Sequence, residues 1–161
     1  MTKLTITLEQ MKQSLSPLHY QEVLDCVGDE NIKELPLSEV VDILGSCSIQ
    51  CMELVTETEP LIKEFTTWVI YDSLENELDG CSYSEAALIQ EWLENYEPSL
   101  EKSVDKIINS KRSVKNTDFW TLLNLSTYSL YSACSGIFLF PFRKRGYEDK
   151  LKKILDAGEW V

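Results

Sequence analysis

The sequence predicts an all-α fold: a single-domain bundle, residues 1–161, of about eight helices around a buried apolar helix at about 117–140. Three observations carry that expectation. Apolar residues recur at a period near 3.6 through most of the chain, as they do in helices with one buried face. Helix-start and helix-stop residues punctuate those runs. Residues 119–142, FWTLLNLSTYSLYSACSGIFLFPF, carry no charge, and their apolar side chains fall all around a helical wheel. Such a helix needs cover on every side.

Taken in order, Lys3 to Thr7 alternates weakly and reads as a short strand or an extended arm. Thr7 with Gln10 has the spacing of a capping box, so a helix runs from Leu8 to Leu15. Ser16-Pro17 supplies an N-cap and a proline at the first helical position of the next helix. Leu18, Val23, Leu24 and Val27 mark its inner side and Gly28 its end, and Asp29 to Leu35 is a polar connector. A long helix is expected from Leu37 to Thr56. Leu37, Val40, Val41, Leu44, Cys47, Cys51, Leu54 and Val55 line one face of it, and Gly45 in its middle marks a close packing contact.

Thr58-Glu59-Pro60 restarts the chain into a helix through Leu78, with Leu61, Ile62, Phe65, Trp68, Val69 and Leu74 inward. Asp79-Gly80 ends it, and Ser82 with Glu85 forms a second capping box. Ile89, Trp92, Leu93 and Tyr96 share one face of the helix from Ser84 to Tyr96. Pro98 breaks the chain, and Ser99 to Lys111 carries a narrow stripe of Leu100, Val104, Ile107 and Ile108. Residues 110–117, SKRSVKNT, read as a basic loop. After the central segment, Tyr147 to Ala157 turns Tyr147, Leu151, Ile154 and Leu155 inward and stops at Gly158, leaving Trp160 in the tail.

The central segment has nearly the length of a membrane span, about 20 residues. It also holds Thr121, Asn124, Ser126, Thr127, Ser129, Ser132 and Ser135, and an asparagine is costly in lipid. A buried helix approached closely through its small residues is the expectation, with no membrane association.

The strongest compositional feature is charge: 27 acidic and 15 basic residues give a net −12. Residues 1–100 hold 20 of the acids and only four lysines, whereas 101–161 hold 11 of the bases. A field of that sign repels nucleic acid and anionic lipid and attracts cationic protein surfaces. Lys111, Arg112 and Lys115 stand at one end of the apolar segment and Arg143, Lys144 and Arg145 at the other, so they form no continuous nucleic-acid footprint. Five cysteines, an odd number without framework spacing, fit reduced thiols in a cytoplasmic protein. No secretory signal opens the chain.

Motifs that carry chemistry are weak. His19 is the single histidine, and Cys47 and Cys51 form the one close thiol pair, which no second pair completes as a metal site. Both cysteines fall in an apolar stripe, where packing accounts for them. Asp72, Glu75 and Asp79 lie a turn apart, but no apolar surroundings separate their proton affinities, so a solvated face is the reading. Ser99-x-x-Lys102 and Ser103-x-x-Lys106 lack companion motifs. Scattered single glycines exclude phosphate-binding loops. No catalytic residue, cofactor or metal is assigned.

These features point to a non-enzymatic, acidic, cytoplasmic protein-binding protein that sequesters or inhibits a basic partner, in the manner of an immunity protein or inhibitor facing a toxin or effector. Electrostatic steering serves that role. The partner-binding residues expected are Glu75, Glu77, Asp79, Glu91, Glu94 and Glu97, with Trp92 and Tyr96 as aromatic anchors. Two alternatives come from other classes. One is a secretion chaperone or adaptor. The other is a small-molecule sensor or enzyme with its pocket between helices, beside Asn124, Tyr128 and Tyr131.

Overall fold

The computed structural model describes residues 3–29, 31–77, 82–95, 98–109, 131, 134 and 146–161. The protein is mostly helical, with 75% of these residues in helices, so the all-α class holds even though a short two-stranded ribbon joins them. The chain divides into two compact units, one of residues 1–62 with 144–161 and one of residues 63–143.

The first unit is organised on that ribbon. Strand β1 (Thr5–Thr7) pairs antiparallel with β2 (Glu34–Pro36), placing Ile6 opposite Leu35. Both side chains are buried, so the ribbon turns one apolar face inward. Each strand runs straight into a helix: β1 into α1 (Leu8–Ser14) and β2 into α3 (Leu37–Leu44). The ladder continues past the strands, because the Leu8 N–H donates to the Lys33 carbonyl and the Leu37 N–H to the Leu4 carbonyl, each at 2.9 Å. The expected polar connector therefore ends in a strand. Three residues are too few to show alternation, so its partner, not its pattern, makes it one.

Local signals place the helix ends. Thr7 Oγ1 accepts from the Gln10 N–H at 3.1 Å, and Gln10 Oε1 accepts from the Thr7 N–H at 3.0 Å. Helix α2 (Pro17–Val27) starts on Ser16, whose hydroxyl accepts from the His19 N–H, and ends on Gly28 in the left-handed region. Its inner side is narrower than the sequence suggests. Val23 is fully buried, but Leu18 stands 70% exposed.

The long helix expected from Leu37 to Thr56 is broken. Gly45 has φ 59° and ψ −130°, a combination open to glycine and strained for other residues. The chain makes a 3-10 turn over Gly45–Cys47 and restarts as α4 (Ser48–Met52), with Ser48 Oγ donating to the Gly45 carbonyl at 2.6 Å. A Cβ on Gly45 would meet nothing within 4 Å. Gly45 thus serves backbone conformation, not the close packing its position implied.

Helix α5 (Thr58–Glu77) begins in the first unit and continues in the second. Thr58, fully buried, donates its hydroxyl to the Met52 and Val55 carbonyls, both at 2.7 Å. The last element, α8 (Tyr147–Ala157), packs on α3 with Leu151, Ile154 and Leu155 at zero exposure against a face containing Leu37, Val40 and Val41. Gly158 closes α8 at φ 70°. The Leu4 N–H donates to the Leu155 carbonyl at 3.1 Å, fastening α8 to the chain just before β1. Trp160 docks on its own unit, with Lys150 Nζ 4.5 Å from its ring centroid.

In the second unit, α5 buries Phe65 and Val69, together with Thr66 and Thr67. Thr67 Oγ1 returns its proton to the Lys63 carbonyl one turn back, at 3.1 Å, so burying it leaves no orphan donor. Helix α6 (Tyr83–Asn95) starts from the second capping box, Ser82 with Glu85, whose reciprocal bonds are 3.0 and 3.1 Å. Helix α7 (Pro98–Asn109) opens on proline and buries Val104. The expected central apolar helix and its flanking basic clusters lie outside the described residues, apart from Tyr131 and Cys134, both helical. Among the described residues, no helix is long and apolar enough to cross a membrane.

Candidate functional site

The first unit carries a groove that the sequence did not announce. The N–H of Leu8 is tied to Lys33, and the connector after α2 is held by a turn in which Asp29 Oδ1 accepts from the Asn31 N–H at 2.9 Å. These bonds bring Ile32 beside Leu8. Two open hollows, about 430 and 370 Å³, share this pair as their floor. Leu24 and Val27 extend the apolar lining of the first, and Tyr20 lines the second.

The rim is acidic. Among the described residues, Asp25 and Asp29 border the first hollow, and Glu9 and the cation Lys33 border the second. All four are exposed. Gln21 Nε2 donates to Asp25 Oδ1 at 2.8 Å, one turn apart on α2, and holds that carboxylate on the rim. Leu18 shares this face of α2, three residues before Gln21 and seven before Asp25. Chemically, the arrangement suits an apolar side chain on a cationic segment.

The partner-binding residues expected from the sequence lie elsewhere in the chain. Glu91 is exposed on α6. Trp92, beside it, is only 2% exposed, so little of its side chain reaches the surface that an anchor would use. Glu75, Glu77 and Glu94 are helical residues whose side chains lie outside the described set, and Asp79, Tyr96 and Glu97 lie outside the described residues altogether. The structure therefore does not assemble these eight into a described site.

One pairing was missed. His19 on α2 and Cys47 in the 3-10 turn meet at 3.9 Å, Nε2 to Sγ, and both are half-buried. Cys51, one turn further, is fully buried, and Ser14 Oγ contacts its sulfur at 3.8 Å. Burial pushes the Cys51 thiol up from its ordinary range, partly offset by that hydroxyl, with Cys47 adding to the rise. Among the described residues, no three histidine, cysteine or acidic side chains come together as metal ligands.

Comparison of the chain with family models, curated proteins and solved structures finds no match.

Proposed function

We propose that this protein is a non-enzymatic binding protein that sequesters or inhibits a basic partner protein, and that the groove between α1, α2 and the connector receives a cationic amphipathic segment of that partner. The observation that carries the reading is an apolar floor of Leu8, Leu24, Val27 and Ile32 under a rim of Glu9, Asp25 and Asp29. The apolar residues supply the burial that holds a complex together. The acids speed encounter with a cation and disfavour acidic competitors. A net charge of −12 extends that preference beyond the groove.

The test is an amide-resolved titration of the full chain with a designed helical peptide of leucines on one face and lysines on the other. Binding at low salt should shift Leu8, Leu24 and Ile32 and should weaken as added salt shortens the screening length. Replacing Asp25 and Asp29 by lysine should weaken it further, whereas reversing Glu91 should not. Polylysine, which has no apolar face, should bind less well than the peptide. Shifts centred on α6 would return the contact to the Glu91 region. No binding at low salt would sink the reading.

A further inference from the structure

We propose that Cys47 is a modification site whose thiol is oxidised by hydroperoxides, with His19 accepting the thiol proton. The proposal is independent of the groove and of any partner. Its basis is a comparison among the chain's own cysteines. Cys26 is exposed and Cys51 is fully buried. Cys47 lies between these extremes, half-buried in the 3-10 turn, and has His19 Nε2 3.9 Å from its sulfur. That distance is within sulfur hydrogen-bond reach, and an imidazole nitrogen that carries no proton is an acceptor for a thiol proton.

Three features of the fold hold the two side chains together. Ser16 caps α2 through the His19 N–H, which fixes the backbone that carries the imidazole. The conformation of Gly45 ends α3 two residues before Cys47, so Cys47 sits in a turn instead of continuing the helix. Ser48 then fastens that turn by donating to the Gly45 carbonyl. At Cys51, by contrast, the thiol is fully buried, and burial favours its neutral form.

The reaction balances without a further component. As the Cys47 proton passes to His19, the sulfur attacks the terminal oxygen of the hydroperoxide. A sulfur–oxygen bond forms and the oxygen–oxygen bond breaks. The departing alkoxide, or hydroxide from hydrogen peroxide, takes the proton from His19. The cysteine is oxidised by two electrons to a sulfenic acid, and the peroxide is reduced to an alcohol or water.

The experiment treats the full chain with hydrogen peroxide, traps sulfenic acid with dimedone, and maps the adducts by mass spectrometry. Cys26 serves as an internal clock. Cys47 should be labelled faster than Cys26 despite its lower exposure, and His19→Asn should lower the Cys47 to Cys26 rate ratio by about tenfold. The direction of the change separates this role from a purely structural one, since a smaller side chain that merely uncovered Cys47 would raise the ratio. His19→Gln is the second variant, with circular dichroism as the check on folding. If both variants lose the fold, the ratio in the native chain decides. Labelling of Cys26 ahead of Cys47, or a ratio unchanged or raised in a folded variant, overturns the proposal.

Discussion

Ser38 Oγ donates a 2.6 Å hydrogen bond to Asp156 Oδ1, joining the second residue of α3 to the penultimate residue of α8 across 118 positions of chain. Around it, Lys152 Nζ lies 2.7 Å from Asp42 Oδ1 and Lys3 Nζ 3.7 Å from Asp156 Oδ1. The hydrogen bond that Lys152 donates to Asp42, with the charges of Asp42 and Asp149 beside it, raises the Lys152 amine above its usual range. Polar contacts thus border the apolar seam between the two helices and set their register.

Ser38→Ala tests this relationship. Hydrogen bonds to charged acceptors are the stronger class, but Asp156 is exposed, so the expected loss is about 1 kcal/mol. The measurement is the urea midpoint at constant m-value. Lys3→Ala, which removes only an exposed ion pair to the same carboxylate, should cost less than about 0.5 kcal/mol.

Ile154→Ala tests the seam itself. Ile154 has no exposed surface, and deleting such a side chain costs about 2–5 kcal/mol through lost burial and the cavity left behind. Hydrogen exchange should show the loss at the Leu4 amide, which is bonded to the carbonyl of neighbouring Leu155. Lys153→Ala, an exposed change on the adjacent residue, should leave that amide protected.

Gly45→Ala and Gly28→Ala have different consequences, although neither added methyl would meet an atom within 4 Å. Gly28, at φ 64° and ψ −2°, is in the left-handed region that other residues enter at about 1–2 kcal/mol. Gly45, at ψ −130°, lies outside that region, and its substitution should cost up to about 3 kcal/mol. Thermal melting of the two variants under one set of conditions checks the order. Equal costs would show that the turn after α3 relaxes.

Cys134 sets a pH dependence. It is buried in the second unit, and desolvation pushes its thiol up to about 12 from an ordinary 9.0, less a contribution from its bond with Thr66. Below pH 9 the thiol is neutral in both folded and unfolded chains, so it adds no slope. Between pH 9 and 12 the unfolded chain releases the proton and the folded chain keeps it. Stability should therefore fall as pH rises, by up to about 1.4 kcal/mol per pH unit from this group. Urea unfolding at pH 8 and pH 10 should show that Cys134→Ala loses less over this interval than the native chain.

The helix ends were legible because both partners of each cap lie within one turn. Thr7 with Gln10, Ser16 with His19, and Ser82 with Glu85 form from neighbours that no distant contact has to deliver. The bounds of α8, Tyr147 to Ala157, were read correctly from its apolar period and from Gly158, whose left-handed conformation closes the helix. The break at Gly45 was not legible. Residues on either side of the 3-10 turn keep pointing inward, so the apolar period runs through a helix that is interrupted. Leu18 misled in the opposite way, since an apolar residue in the expected phase belongs to a face that nothing covers in the structure described.

The groove was hidden for a different reason. Leu8 and Ile32 are separated by 24 positions, and neither is unusual in its own segment. The β1–β2 pairing, continued by the bond from the Leu8 amide to the Lys33 carbonyl, brings them together. His19 and Cys47, 28 positions apart, meet only once the Gly45 turn has been made. By itself, then, the sequence determined a helical protein, its caps and an acidic charge balance, because these follow from local backbone chemistry and composition. Tertiary structure decided which acids border an apolar hollow and which thiol faces an imidazole. Those outcomes depend on loop closure and burial, which bring together residues whose local sequences carry no trace of each other.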